Sequence, residues 1–303
     1  MNKQTYLVIL KSIFYNFFDW FRRYEAWMFT SVIDRVKIDG EWFDKYSDYP
    51  ASKFKKALII ELPAHRHYKR QTIKSKYIVS KALLIVLEKM YALTINTKKA
   101  DLRIYDELAE KYKVNVDTSY IIKKMVSQYR VMSFVLRLNK PKVVFVMPSY
   151  TSYGYIRAFK EMGVKVVELQ HGVIVDSHVG YNLKAKFERT YFVDNLLTFG
   201  TKELQVFGNH NMGISLECVK PMGNFYLDYI SEREISNLEM QRMCDMYTKT
   251  VSVSLQDIEA SESLIESVLL IAKELDDYLF LMKPRRTSVA EYKKKYNLSY
   301  KLY

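Results

Sequence analysis

Residues 141–172 read PKVVFVMPSYTSYGYIRAFKEMGVKVVELQHG. An apolar run around Val143–Val146 is followed by a segment of helical periodicity that closes at Gly163, and then by a second apolar run. This predicts strands over 141–149 and 164–170 with a helix over 153–163 between them. Strand, helix and strand joined by short connections form a parallel βαβ unit. The second strand ends on Gln170, His171 and Gly172. Open parallel sheets bind ligands in the crevice outside the carboxyl ends of their strands, so the pattern delivers an imidazole to the place where chemistry is expected. An imidazole titrates near neutral pH and can take a proton from a hydroxyl nucleophile, which makes His171 the candidate base. Either Asp176 or Glu168 is spaced to orient it, and spacing alone does not choose between them. Ser149, ending the preceding strand, is expected to share the crevice. Gly172 is expected to let a ligand approach the backbone, and His178 to position an acceptor.

The same alternation continues downstream. Residues 195–200 and 217–223 read as short strands ending on glycine, and 249–256, 261–276 and 277–284 as a second strand–helix–strand unit. Upstream, 56–63 reads as a buried strand, and 76–93, 101–114 and 119–138 as helices. Residues 7–35 show Ile9, Ile13, Phe17, Trp20 and Tyr24 at helical spacing and read as a helix, followed by a polar, aromatic loop. The expected fold class is therefore α/β with a helical N-terminal segment. A chain of 303 residues suits two domains, and the boundary is placed between 192 and 193.

Composition excludes several classes. Hydrophobic residues make up 49% and charged residues 27%, as in a globular protein and not a disordered one. Two cysteines provide no disulfide framework, and the five histidines form no zinc signature. No cofactor or metal is called for, and no apolar run is long enough to span a membrane. Charge is uneven: residues 1–150 hold 28 Lys and Arg against 14 Asp and Glu, and the remainder 19 against 20. A basic, aromatic half suits nucleic acid or an anionic membrane surface. No nucleic-acid motif accompanies the charge, so the membrane surface is favoured. The plain alternatives are a solvated lysine-rich face and aromatics that belong to the core.

The ordered stretches VVELQHGVI, SHVGY, DNLLTFG, VKPMGNFYLDYI, SVSLQ and LFLMKPRR resemble bacterial GT-B-type glycosyltransferases of capsule and lipopolysaccharide synthesis, and are similar to the CDP-glycerol polyol-phosphate transferases. The resemblance covers roughly 141–286. It implies two Rossmann-like domains of GT-B type: an acceptor-side domain over 1–192 and a donor-side domain over 193–303, the second incomplete because the chain ends at Tyr303. It also implies that His171 is the catalytic base and that Gly223 and Asn224, with Asp228, open the donor side. Lys283, Arg285 and Arg286 are implied contacts to donor phosphate, with Lys283 standing where the family has a histidine. The implied activity is transfer of a sugar from a nucleotide-sugar donor to a cell-surface glycan or lipid-linked acceptor, by a cytoplasmic protein peripheral to the inner face of the membrane. The alternatives are polyol-phosphate transfer, a truncated inactive member, or a non-catalytic membrane-associated protein.

Overall fold

The computed structural model describes residues 3–64, 66–97, 103–182, 188–209, 213–233, 238–255 and 260–283. Two compact units divide the chain, Met1–Glu232 and Arg233–Tyr303. The first is built on seven strands: β1 (Ala26–Ser31), β4 (Ala57–Leu62), β5 (Ile78–Ser80), β6 (Val143–Val146), β7 (Lys165–Leu169), β8 (Asn195–Thr198) and β9 (Val219–Pro221). Their order is β5-β4-β1-β6-β7-β8-β9, and every neighbouring pair is parallel. The chain thus builds outward from β1 in one direction and then returns to build outward in the other. The reversal falls between β1 and β6, the topological switch point at which open α/β sheets leave a crevice for ligands.

Period-2 alternation sorts the two faces of the sheet. Trp27, Phe29, Leu58, Ile60, Val144, Val146 and Val166 turn one way. They pack on α3 (Ala82–Thr94), α5 (Thr118–Leu138) and α6 (Tyr153–Glu161). Ala26, Met28, Ala57, Ile59 and Ile78 turn the other way and meet Ile73, with Tyr15, Trp42 and Phe54 at the margin. Local signals set the helix ends. Asp117 accepts the Tyr120 amide at 2.8 Å and starts α5, as an N-cap carboxylate should. Gly163 adopts a positive φ just past α6, the usual stop for a helix.

The stretch 7–35 is not one helix. α1 (Lys3–Ser12) ends early, Asn16 takes a left-handed φ of 49°, a 3-10 turn covers Phe17–Phe21, and β1 follows. The apolar spacing belongs to a ring cluster and a strand buried on both faces, which a continuous apolar run cannot distinguish from a buried helix. The adjoining expected loop contains the hairpin β2 (Arg35–Ile38) and β3 (Glu41–Asp44), with Asp39 and Gly40 both at positive φ, the two-residue turn that suits a hairpin's twist. α2 (Asp48–Ser52) leads on to β4, and α4 (Arg103–Lys111) precedes α5. The remaining elements of this unit are α7 (Lys202–Asn209) and α8 (Phe225–Ser231).

The expected boundary at 192/193 is displaced to 232/233. β8 and β9 complete the first sheet, because Val167–Leu169 pair with Asn195–Leu197, and these in turn with the strand at Val219. The second unit holds α9 (Leu238–Asp245), β10 (Lys249–Ser254), α10 (Ala260–Glu274) and β11 (Tyr278–Lys283). β10 and β11 pair in parallel from Lys249↔Tyr278 to Ser254↔Lys283. Leu255, Ile265, Val268 and Met282 form its core.

Candidate active site

His171 follows β7 directly, one strand from the switch point. Its Nδ1 is buried and has no hydrogen-bond partner, so neither Glu168 nor Asp176 orients the ring through that nitrogen. The backbone is held instead, with the Tyr46 hydroxyl donating to the His171 carbonyl at 3.2 Å. Burial, and after it the charge of His178, lowers the pKa of His171 below the ordinary imidazole value. The neutral, proton-accepting ring is therefore the prevailing form at neutral pH. The Tyr150 ring lies 6.4 Å from that of His171 and 5.5 Å from that of His178. His178 receives the Gly180 amide on its Nδ1 at 3.1 Å. Gly180 presses its backbone on the Tyr150 ring so closely that no Cβ fits. The two histidines are thus gathered around one tyrosine.

Glu168 lies beneath this group, fully buried on β7. Its Oε1 accepts the Ser149 amide at 3.0 Å and the Tyr181 hydroxyl at 2.7 Å, while Oε2 has no partner. Desolvation raises its pKa, against the lowering effect of the Ser149 and Tyr181 bonds. Tyr181 is pushed up in turn, by burial and then by Glu168. Ser149 is itself buried, and its amide bond to Glu168 fixes the end of β6. Asp176 is exposed, its carbonyl taking a bond from Asn182. Gly172 has open space where a side chain would stand, and its carbonyl accepts Gln170 Nε2 at 2.9 Å.

A recess next to Gln170 is lined by Lys45, Tyr46, Phe199, Gly223, Asn224 and Phe225, with Leu169 and Leu197 behind; His171 does not line it. Its roughly 290 Å³ of empty space includes open solvent, and the enclosed part has room for little more than one water. Gln170, which nothing in the motif reading singled out, organises it. Its amide donates to Glu203 at 2.8 Å and accepts from the Phe199 N–H at 2.6 Å, tying β7 to the loop after β8. Gly223 takes φ +83° in the turn after β9, and Asn224 caps α8 by accepting the amides of Tyr226 and Leu227. The GN-x-x-x-D stretch is therefore a turn and helix start in the first unit. α8 leans on the hairpin region, Phe43 stacking on Tyr229 at 4.2 Å and Tyr49 near Phe225 at 5.8 Å. Those contacts bring Lys45 and Tyr46 up against Gly223.

The loop carrying Lys45 and Tyr46 hangs on a buried polar network missed by sequence reasoning. Asp44 accepts the amides of Tyr46 and Ser47 and the Thr30 hydroxyl. Asp48 accepts the Asp44 amide at 2.7 Å and the Ser75 hydroxyl. Arg35, its side chain fully enclosed, bonds Glu61, Ser75 and the Trp42 carbonyl and lies 3.6 Å from Asp48. His67 joins Glu61 at 2.6 Å and Ser80 at 2.9 Å. Burial lifts Asp48 to about 6 despite Arg35. Asp34, beside Asp44, also rises to about 6, mainly by burial.

Lys283 closes β11 in the second unit, and Arg285 and Arg286 lie outside the described residues. Among the described residues, no group of three His, Cys, Asp or Glu side chains is placed to hold a metal ion.

No protein-family model and no curated protein sequence matches the chain. Solved structures are similar at low identity, among them the following three. A UDP-GlcNAc 2-epimerase from Neisseria meningitidis bound to UDP-GlcNAc has 11% identity and a TM-score of 0.48, over 92% of this chain and 70% of that one. The S. aureus MnaA–UDP structure has 11% identity and a TM-score of 0.45, over 91% and 67%. Anabaena Alr3699/HepE in complex with UDP and glucose has 8% identity and a TM-score of 0.43, over 92% and 68%.

Proposed function

We propose that the chain is a transferase acting on a nucleotide-sugar, with His171 as the base that activates an acceptor hydroxyl. The observation that carries this reading is the His171 ring itself. It stands past the carboxyl end of β7 in the parallel sheet, its pKa lowered chiefly by burial and with a buried nitrogen left unpaired. In the proposed step the imidazole takes the hydroxyl proton as the oxygen bonds to the anomeric carbon. The bond from that carbon to the nucleotide diphosphate breaks, and the diphosphate leaves with the electron pair. His178 and Tyr150 would position the acceptor. Lys283, Arg285 and Arg286 are the donor-side candidates; cationic side chains there would offset diphosphate charge. A GT-B arrangement and a cell-surface glycan or lipid-linked acceptor at the inner face of the membrane belong to the same reading. Polyol-phosphate transfer would use the same base on a different donor.

The test is thermal unfolding with UDP-, CDP-, CMP- and GDP-linked donors. A ligand that binds the native state raises the midpoint by an amount set by its concentration relative to its affinity. A shift with one donor class, lost on replacing Lys283 by Ala, supports the reading. No shift with any of them leaves a chain that does not bind donor, and the proposal fails.

A further inference from the structure

The 3-10 turn Phe17–Phe21 buries Asp19 and Trp20 and turns other rings outward. Phe14, Phe18 and Phe21 are 77%, 80% and 69% exposed. They form one group, because the Phe17 ring between them sits 6.1, 6.0 and 5.3 Å from theirs while itself packing on the core. The turn is fastened from below: Tyr24 donates to the Asp19 carbonyl at 2.7 Å, and Asn139 donates to the carbonyls of Trp20 and Arg22. Asn139 follows α5 directly, which brings Leu138, 71% exposed, to the same neighbourhood. Scattered exposed apolar residues are ordinary, whereas a contiguous set of large ones marks an interaction site.

We infer that this aromatic ledge is a docking surface for an anionic lipid bilayer. Arg22 and Arg23 flank the rings and are exposed; Arg22 keeps its guanidinium 3.2 Å from Asp19 with most of its side chain in water. They belong to the half of the chain with 28 cationic against 14 anionic residues. That charge favours a negatively charged partner surface and opposes a second copy of the same face, since pairing would bring two basic ledges together. No described helix is long and apolar enough to cross a membrane. The fitting mode is interfacial, with the rings at head-group depth and the arginines at the phosphates. Trp20 and Trp27, although part of the same aromatic run, are core residues and take no part. The inference extends the proposed lipid-linked acceptor, yet it rests on the exposed rings and not on donor binding.

The test uses the full chain and sedimentation with vesicles of phosphatidylcholine alone or with about a quarter phosphatidylglycerol. Pelleting is expected with the anionic vesicles and is expected to be released by high salt. Phe14→Ser with Phe18→Ser and Phe21→Ser should reduce partitioning more than about tenfold, and Arg23→Glu by at least about fivefold. Neither variant touches the recess, so unfolding midpoints and any donor-induced shift should be kept, which separates this inference from the transferase reading. Equal pelleting with both vesicle types, or wild-type partitioning by the triple variant, overturns it. So does a dimer in light scattering that the triple variant abolishes, which would assign the ledge to a second copy.

Discussion

On the β1–β4–β5 side of the sheet's carboxyl edge, the Arg35 guanidinium meets Glu61, Asp48, Ser75 and the Trp42 carbonyl, and both nitrogens of His67 are engaged. On the β6–β7 side, Glu168 and His171 each keep a buried atom without a partner. The same sheet edge therefore treats ionisable groups in two ways, although Ser47 Oγ on the paired side also lacks a partner. An unpaired buried polar atom costs about 1–3 kcal/mol, so a fold tolerates it where the group has another use. Fully paired charges hold geometry, whereas an unpaired imidazole of lowered pKa is available to a reactant. The first half supports the loop bearing Lys45 and Tyr46, and the second half carries the unpaired His171 ring.

The comparison breaks most directly at His171. If the open half does the chemistry, His171→Ala should lower turnover by about 10²–10⁴ with the unfolding midpoint nearly unchanged. The acid limb of the wild-type rate profile should lie below the ordinary imidazole value of 6.5, because the folded pKa is lowered. Steady-state kinetics on a responsive donor and acceptor measure both. Turnover within a few-fold of wild type would make His171 structural.

Arg35→Met tests the paired half. It removes the guanidinium from between Glu61 and Asp48 without opening space for water, and leaving buried charge uncompensated costs about 3–5 kcal/mol. Denaturant midpoints should show that loss, and the recess should loosen with it because Asp44 and Asp48 carry the Lys45–Tyr46 loop. A change below about 1 kcal/mol would mean the network is surplus to the fold.

Much of the strand pattern was legible where a short apolar run is bounded by Gly or Pro: β4, β6, β7, β8, β9 and β11 fall where those runs predict. β1 and β5 were not legible: the six residues AWMFTS of β1 follow rings at helical spacing, and Ile78–Ser80 of β5 falls inside the stretch 76–93 that reads as one helix. The positions of His171 and Ser149 at strand ends followed from the βαβ pattern, but Ser149's bond to Glu168 did not, since alternation says which face a residue takes and not what it touches. Tyr46, Gln170 and Arg35 left almost no local signal. Their partners lie far away along the chain, His171 being 125 residues from Tyr46. The Asp-Gly pair at 39–40 between WF- and VKI-bearing segments was the cue for the missed hairpin that places them.

The smallest effect expected is a pH trend that isolates Glu168. Desolvation holds its folded pKa above the ordinary carboxylate value of 4.5, so the native state keeps this proton more firmly than the unfolded chain does. The resulting contribution to stability is fully present below about 4.5. It is lost as pH rises from there through the folded pKa, since the unfolded carboxyl ionises freely while the buried one must ionise in a site where Oε2 has no donor. Glu168→Gln retains an oxygen to accept the Ser149 amide and the Tyr181 hydroxyl and cannot ionise. The difference in unfolding free energy, wild type minus variant, should therefore fall steadily as pH rises above about 4.5 and level off once both states have lost the proton. Measuring the difference cancels the other titrating groups, including Asp34 and Asp48, whose raised values near 6 act in the same direction in both proteins. A difference that rises with pH would mean that Glu168 is stabilised as an anion. That would make the unpaired half as well compensated as the half around Arg35, and the contrast between them would be gone.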